Sequence, residues 1–243
     1  MTCILQIVGE GVILIKELYY VLMKAHIGNV KQCKTLIKHQ CVQVNGVYVQ
    51  EVKLLVCMYD VIEVYQKKIE WPFVYYMLNK PQGYLSASYD KNEHYVLELF
   101  DKSDCFCLGR LDKDTTGLLI VTNDASLKSL LLPQNHIEKT YEVDVDKDLE
   151  DDLVEKFLKG IIIDKKITCL PAKLEIIEER HCLVTVCEGK YHQVKKMFLS
   201  CGYIVKALKR VSFGDLSLDI SLKEGEYREL SFHEINQLLE RGN

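Results

Sequence analysis

The run Gly109-Arg110-Leu111-Asp112-Lys113-Asp114-Thr115-Thr116-Gly117 packs two carboxylates, two cations and two hydroxyls between glycines, directly ahead of the apolar stretch Leu118-Leu119-Ile120-Val121. A charged loop against a strand is, by itself, most often an ordinary turn. A carboxylate fixed in such a loop can also act as a nucleophile or as an acid–base group. Two other places offer partners: Tyr141 in Glu138-Lys139-Thr140-Tyr141, and the pair Lys195-Lys196 within Glu188-Gly189-Lys190-Tyr191-His192-Gln193-Val194-Lys195-Lys196-Met197-Phe198. A strand tyrosine is usually core and a lysine pair on a helix is usually a solvated face. Each gains chemical meaning only if the fold carries it to Asp112.

The elements that must do so can be read from spacing. Near the N-terminus, Lys16 to Lys24 reads as one helix, and Asn29 can cap a second whose apolar positions Val30, Cys33, Leu36 and Ile37 recur at helical spacing. That leaves Lys31, Lys34 and Lys38 together on its other face. Val42 to Val49 alternates around Asn45-Gly46, a strong hairpin signal. A linker is expected at Lys67 and Lys68, then a short strand Val74-Tyr75-Tyr76-Met77-Leu78 stopped by Asn79-Lys80-Pro81-Gln82-Gly83. Three helices follow: Ala125 to Leu132, Leu149 to Lys159 capped by Asp148, and one from His192 to Cys201-Gly202. A capping box, Ser231 with Glu234, marks a last one. Strands are expected at Ala172 to Ile177, His181 to Cys187 and Ile204 to Ser212. Strands and helices do not alternate regularly, so the predicted class is α+β, with a mixed, mainly antiparallel sheet flanked by helices.

Composition sets outer bounds. With 243 residues and 48% apolar content the chain can build a core plus a small appended module. None of the ten cysteines forms a C-x-x-C pair, which disfavours a zinc ribbon or a thioredoxin-type site. The apolar opening Thr2 to Ile15 lacks the basic start of a signal peptide, carries Glu10 and is too short to span a bilayer, so a cytoplasmic protein is expected. Net charge is −4, yet its distribution is uneven. Residues 1–68 hold eight lysines against five acids, whereas residues 69–243 hold 23 basic against 30 acidic residues. From Gly189 to Gly214 there is no acid, but Lys190, Lys195, Lys196, Lys206, Lys209 and Arg210 are present. Two separated basic surfaces suit an extended polyanion.

The helix pair followed by a strand ending in Val44-Asn45-Gly46 resembles an S4-type RNA-binding domain, although Ile13-Leu14-Ile15-Lys16-Glu17-Leu18 stands where such domains usually open with an Arg-Leu-Asp-Lys type sequence. The four segments Met77 to Gly83, Gly109 to Gly117, Glu138 to Tyr141 and Glu188 to Phe198 resemble, in that order, the motifs of the RsuA branch of the pseudouridine synthases. Tyr191-His192-Gln193 and Gly225-Glu226-Tyr227-Arg228-Glu229-Leu230 suggest that branch. The resemblance spans roughly residues 74 to 232, with an S4-like domain at 1–67 and a catalytic domain at 68–243. It implies that Asp112 is the catalytic carboxylate, with Asp114 a bystander. It implies further that Tyr141 lies against the target uracil and that Lys195 pairs with Asp112, Lys196 being the fallback. Candidate RNA contacts are Arg110, Lys31, Lys34, Lys38, Lys80, Lys190, His192, Lys196 and Arg210. The implied partner is small-subunit ribosomal RNA or its assembly intermediate, and the implied target the 16S uridine at position 516. The enzyme is expected to act as a monomer, away from membranes.

The implied reaction breaks the N1 glycosidic bond, turns the uracil and rebuilds the link through C5. Nothing is oxidised and no group is lost, so no cofactor or metal is expected. A carboxylate can add to C1′ or take the neighbouring C2′ proton. In a closed site, a cation within a few ångströms favours the charged form of a carboxylate. Because the target base must leave its stack, Tyr141 can recover part of the extrusion cost by stacking. Two other classes compete. The pattern Asp112-x-Asp114-x-Thr also fits the start of a magnesium-dependent haloacid-dehalogenase-type phosphatase, with Asp151-Asp152 as a metal pair. That fold needs the first Asp at the end of an apolar strand in an alternating chain, and here Arg110-Leu111 precede it. A non-catalytic ribosome-binding protein is the third reading, disfavoured by the complete Asp112, Tyr141 and lysine set.

Overall fold

The computed structural model describes residues 4–8, 11–101 and 104–240. The readings of Thr2, Cys3 and Glu10 fall outside the described residues. The fold is α+β, and the chain divides into two compact units, Met1–Val74 with Asp124–Ser129, and Tyr75–Asn123 with Leu130–Asn243. No helix among the described residues is long and apolar enough to cross a membrane.

In the first unit, strand Gly11–Glu17 pairs antiparallel with Ile4–Val8 and with Leu55–Val56. Helix Leu18–Lys24 follows it at once, so the helix expected from Lys16 begins two residues later. The strand carries Lys16 inward, where its ammonium meets Asp124 at 2.7 Å and the Ser126 hydroxyl. Burying a charge is tolerable only with such partners, which an exposed helix start would not have supplied. Helix Val30–Lys38 opens on the capping box of Asn29 and Gln32 and buries Cys33 and Ile37 completely. Strands Val42–Val44 and Val47–Tyr48 turn on Asn45-Gly46, both at positive φ as an Asn-Gly hairpin requires. They join a sheet with Ile62–Val64 and Lys67–Ile69. Lys67 and Lys68 are therefore strand and not linker. The turn before them, Tyr65-Gln66, also has positive φ at both residues without glycine or asparagine, so the usual turn chemistry was absent from the sequence.

The second unit is a nine-stranded sheet whose central path runs Lys173–Glu178, His181–Val186, Lys139–Val145, Val205–Phe213, Thr116–Thr122, Tyr75–Lys80 and Tyr227–Glu229. Phe106–Leu108 and Leu216–Ser217 pair at its margins. Every pairing is antiparallel except that of Thr116–Thr122 with Val205–Phe213. Helices Asp152–Lys159, Gln193–Ser200 and Phe232–Glu240 flank the sheet, and the Ser231–Glu234 capping box forms as expected. Two expected helices differ. Ala125–Leu131 winds as 3₁₀ turns. The helix expected from Leu149 starts at Asp152, because Leu149 donates its N–H to Glu179 O while Asp148 takes Arg180 at 2.7 Å, tying 148 and 149 to the neighbouring strand turn.

Candidate active site

One row of the sheet organises the site. Lys80, Gly117, Arg210 and Tyr141 are register partners across four consecutive strands. A bulge between Thr140 and Tyr141 brings Tyr141 opposite Arg210, and bulges are a common means of aiming a side chain at a site. Gly117 is required here. Its φ is +99°, and a Cβ would stand 2.2 Å from Arg210 O, so only glycine lets the parallel strands approach.

The loop 109–115 hangs from this row and is fixed by hydrogen bonds to its backbone. Arg210 donates to Gly109 O at 2.9 Å and to Leu118 O at 2.8 Å. Ser86 Oγ donates to Leu111 O at 2.8 Å and accepts from Leu111 N at 3.0 Å. Lys80 donates to Pro81 O at 3.0 Å, Lys113 O at 3.3 Å and Thr115 O at 2.9 Å. Within the loop, Thr115 N closes a turn onto Asp112 O. Burial draws Lys80 down to about 8, against the pull of Asp114 and Asp112, and it lowers Arg210 too, more than the nearby Tyr141 offsets. Both cations were expected on RNA. Both are instead buried, Lys80 at 0% and Arg210 at 1% exposure; Lys80 donates to three carbonyls, and Arg210 donates to two and interacts with the Tyr141 hydroxyl, so neither stands on the surface for a phosphate.

Asp112 is thereby held at the wall of a cavity of about 620 Å³, whose lining includes Arg110, Tyr141, Lys139, His192 and Arg210. Lys195, from helix Gln193–Ser200, reaches Asp112 Oδ2 at 3.1 Å and Asp114 Oδ1 at 2.5 Å. Asp114, expected to be a bystander, shares the lysine. Burial works to raise its carboxyl, and the hydrogen bond and charge of Lys195 outweigh that, leaving it below the usual range. His192 Nε2 lies 3.6 Å from Asp112 Oδ1. Lys196 turns away to Asp164 at 2.6 Å, which leaves Lys195 as the partner of Asp112. Tyr141 is 9% exposed, its ring built into the cavity wall.

Of the remaining residues expected to contact RNA, Arg110 is exposed at the cavity, and Lys190 lines it while paired to Glu188. Lys31 and Lys38 are exposed in the first unit, and Lys34 lies 4.4 Å over the ring of Tyr19. Several site residues were not singled out from sequence. Lys139 lines the cavity, donates to Ile137 O at 2.7 Å and is drawn down to about 8 by burial and by Arg210; its place in Lys-Thr-Tyr was the available signal. Glu188 braces the segment before the helix by accepting from Leu170 N and Gln193 Nε2. Thr115 Oγ1 is buried in the cavity wall with no partner among the described residues. Ser86 sits in an irregular stretch that carried no signal.

The phosphatase reading finds no support in this arrangement. The strand entering the loop, Phe106–Leu108, is antiparallel to the one leaving it, and Asp152 pairs with Lys156 on its own helix.

Comparison with known proteins agrees with the geometry. The model of the RNA pseudouridylate synthase family matches residues 74–200. An uncharacterized RNA pseudouridine synthase of Bacillus subtilis, YtzG, is 38% identical over 224 residues, 88% of this chain and 94% of its own. Ribosomal small subunit pseudouridine synthase A is 36% identical in Haemophilus influenzae, over 86% of this chain and 93% of that one, and 42% identical in Yersinia pestis, over 66% and 71%. A crystal structure of a pseudouridylate synthase superposes with a TM-score of 0.66 at 34% identity, covering 91% of this chain and 98% of the other. The matched segment contains Asp112, Tyr141 and Lys195, and this chain belongs to the RNA pseudouridylate synthase family.

Proposed function

We propose that this enzyme converts one uridine of small-subunit ribosomal RNA, in the 16S molecule or an assembly intermediate, to pseudouridine, with uridine 516 as the expected target. The observation that carries the reading is the contact of Lys195 with Asp112 at 3.1 Å in a cavity whose wall includes Tyr141. Relatives named ribosomal small subunit pseudouridine synthase A support the choice of RNA.

In this reading the uridine is turned out of its stack into the cavity. Asp112 acts at the sugar, by adding to C1′ or by taking the C2′ proton, while Lys195 supplies its counter-charge. The freed uracil turns against Tyr141, whose ring keeps it from diffusing away; once the new C1′–C5 bond has formed, C5 loses a proton and N1 gains one, the Tyr141 hydroxyl serving as carrier by taking up the first as it gives up its own. The hydrogen bonds that hold loop 109–115 keep the carboxylate in place before substrate arrives, so the reaction does not have to order it. Arg110, at the cavity mouth, is the phosphate contact best placed beside the carboxylate. The first unit acts as an S4-like RNA-binding domain through Lys31, Lys34 and Lys38, and the enzyme works as a monomer in the cytoplasm.

The test is incubation with 16S rRNA or its precursor in the absence of any cofactor, followed by mapping of pseudouridine. One new pseudouridine is expected, and none with Asp112→Asn, whose thermal unfolding and RNA binding should match wild type. Equal activity in the two proteins would remove Asp112 from the mechanism. Phosphate release that depends on Mg²⁺ would move the chain to the phosphatase reading.

A further inference from the structure

Immediately before the helix that supplies Lys195, two aromatic rings are stacked in the open. Tyr191 and His192 lie with centroids 3.8 Å apart at 19°, and Tyr191 is 74% exposed. Exposure alone is ordinary, since Tyr65 and Tyr89 are 65% and 71% exposed. Here the arrangement is also imposed: His192 has a left-handed backbone, φ 53° and ψ 34°, without being glycine. Such conformations are retained where the surroundings enforce them, and they cluster at functional sites. The surroundings are on hand. Glu188 ties Gln193 and Leu170 together on one side, and on the other Lys196, anchored by Asp164, places its nitrogen 5.1 Å from the centre of the Tyr191 ring.

The stack is continuous with the reaction centre. His192 lines the cavity and stands 3.6 Å from Asp112, while Tyr191 extends the same aromatic surface outward beside Lys190 and Lys196. A nucleotide leaving a stack exposes the face of the base beside it, and a flat π surface flanked by cations is the chemistry that receives such a face. We infer that Tyr191 and His192 form a platform on which the nucleobase adjacent to the extruded uridine stacks, holding open the gap that the uridine leaves. This rests on the function proposed above and adds a positioning element to it, since the platform meets the neighbouring base and not the reacting one.

The experiment uses the full-length enzyme and a 16S fragment with 2-aminopurine placed immediately 5′ or immediately 3′ of the target uridine. An Asp112→Asn background prevents turnover. On binding, fluorescence is expected to be quenched for one of the two placements, which identifies the stacked neighbour. The quench should vanish with Tyr191→Ala and remain with Tyr191→Phe, which keeps the ring. With Asp112 intact, Tyr191→Ala is expected to raise KM about tenfold, the scale of one lost base–aromatic stack, and Tyr191→Phe to restore it. Because Tyr191 is exposed, the alanine variant should melt at the wild-type temperature. Unchanged quench and KM in Tyr191→Ala, with wild type still forming pseudouridine, overturn the platform alone. Absence of pseudouridine from the wild-type reaction brings down the platform and the proposed function together.

Discussion

Replacing Lys80 with methionine separates two roles that a buried cation in this family could have. If Lys80 clamps the loop, as its bonds to Pro81, Lys113 and Thr115 imply, the variant removes a costly charge and three hydrogen bonds at once. Burial draws Lys80 from 10.5 to about 8, which corresponds to about 3 kcal/mol of unfavourable free energy while the group is charged. Three carbonyls left without their donor cost about 1 kcal/mol each. The two terms nearly cancel, so urea unfolding at pH 7 should shift by less than about 2 kcal/mol. The pH dependence carries a definite sign. Below about 8 the ammonium is charged in folded and unfolded chains alike and the folded state bears the full cost. Between about 8 and 10.5 only the folded state has released the proton, so wild-type stability gains a rising contribution there that Lys80→Met lacks. Turnover is where the loss should fall, by about 100-fold in kcat for a displacement of the Asp112 loop on the order of 1 Å. Affinity for 16S rRNA and its salt dependence should not change. If Lys80 held a phosphate, kcat would be retained and the slope of log affinity against log salt would become shallower by about one; that result refutes the clamp.

Gly117→Ala is expected to destabilise by more than about 3 kcal/mol in urea unfolding, since its Cβ would meet Arg210 O at 2.2 Å and Arg210 N at 2.7 Å. Gly46→Ala, at a similarly positive φ but with nothing within 4 Å, should cost only about 1 kcal/mol, and equal losses would mean that strand approach is not what Gly117 provides. Lys31→Glu combined with Lys34→Glu should weaken binding to 16S rRNA and flatten its salt dependence; an unaltered slope would exclude that helix face as an RNA surface.

Where local chemistry decided a feature, the sequence showed it. Asn29 with Gln32 and Ser231 with Glu234 form from side chains that satisfy backbone groups three residues away, and Asn45-Gly46 turns because both residues accept positive φ. Asp112, Tyr141 and Lys195 could be singled out because four motifs occur in a fixed order; the fold sets Lys195 against Asp112 and puts Asp112 and Tyr141 in the lining of one cavity. What stayed hidden depended on distant partners. Lys16 read as the start of a helix because its counter-ion, Asp124, stands 108 residues away. Tyr65-Gln66 turns sharply with residues that do not ask for it, so the strand Lys67–Ile69 read as a linker. Ser86 holds Leu111 through both its N–H and its carbonyl from a stretch with no periodicity.

Lys80 and Arg210 show why charge alone misleads in such a chain. By type they match what a phosphate needs, and both stand in basic or motif-bearing segments, yet the sheet row that aligns Lys80, Gly117, Arg210 and Tyr141 turns both inward. Once inside, a cation needs acceptors, and the carbonyls nearest to hand belong to the loop that carries Asp112. The same positive charges that could bind RNA at the surface thus hold the loop from beneath. In the function proposed above, the groups at this cavity that remain for RNA are Arg110 and the exposed Tyr191 with its neighbour His192, while Lys190, Lys195 and Lys196 are each already bonded to a carboxylate. Phosphate binding there competes with existing ion pairs, whereas a base stacking on Tyr191 does not, so the proposed platform adds affinity for an unstacked neighbour whatever its identity.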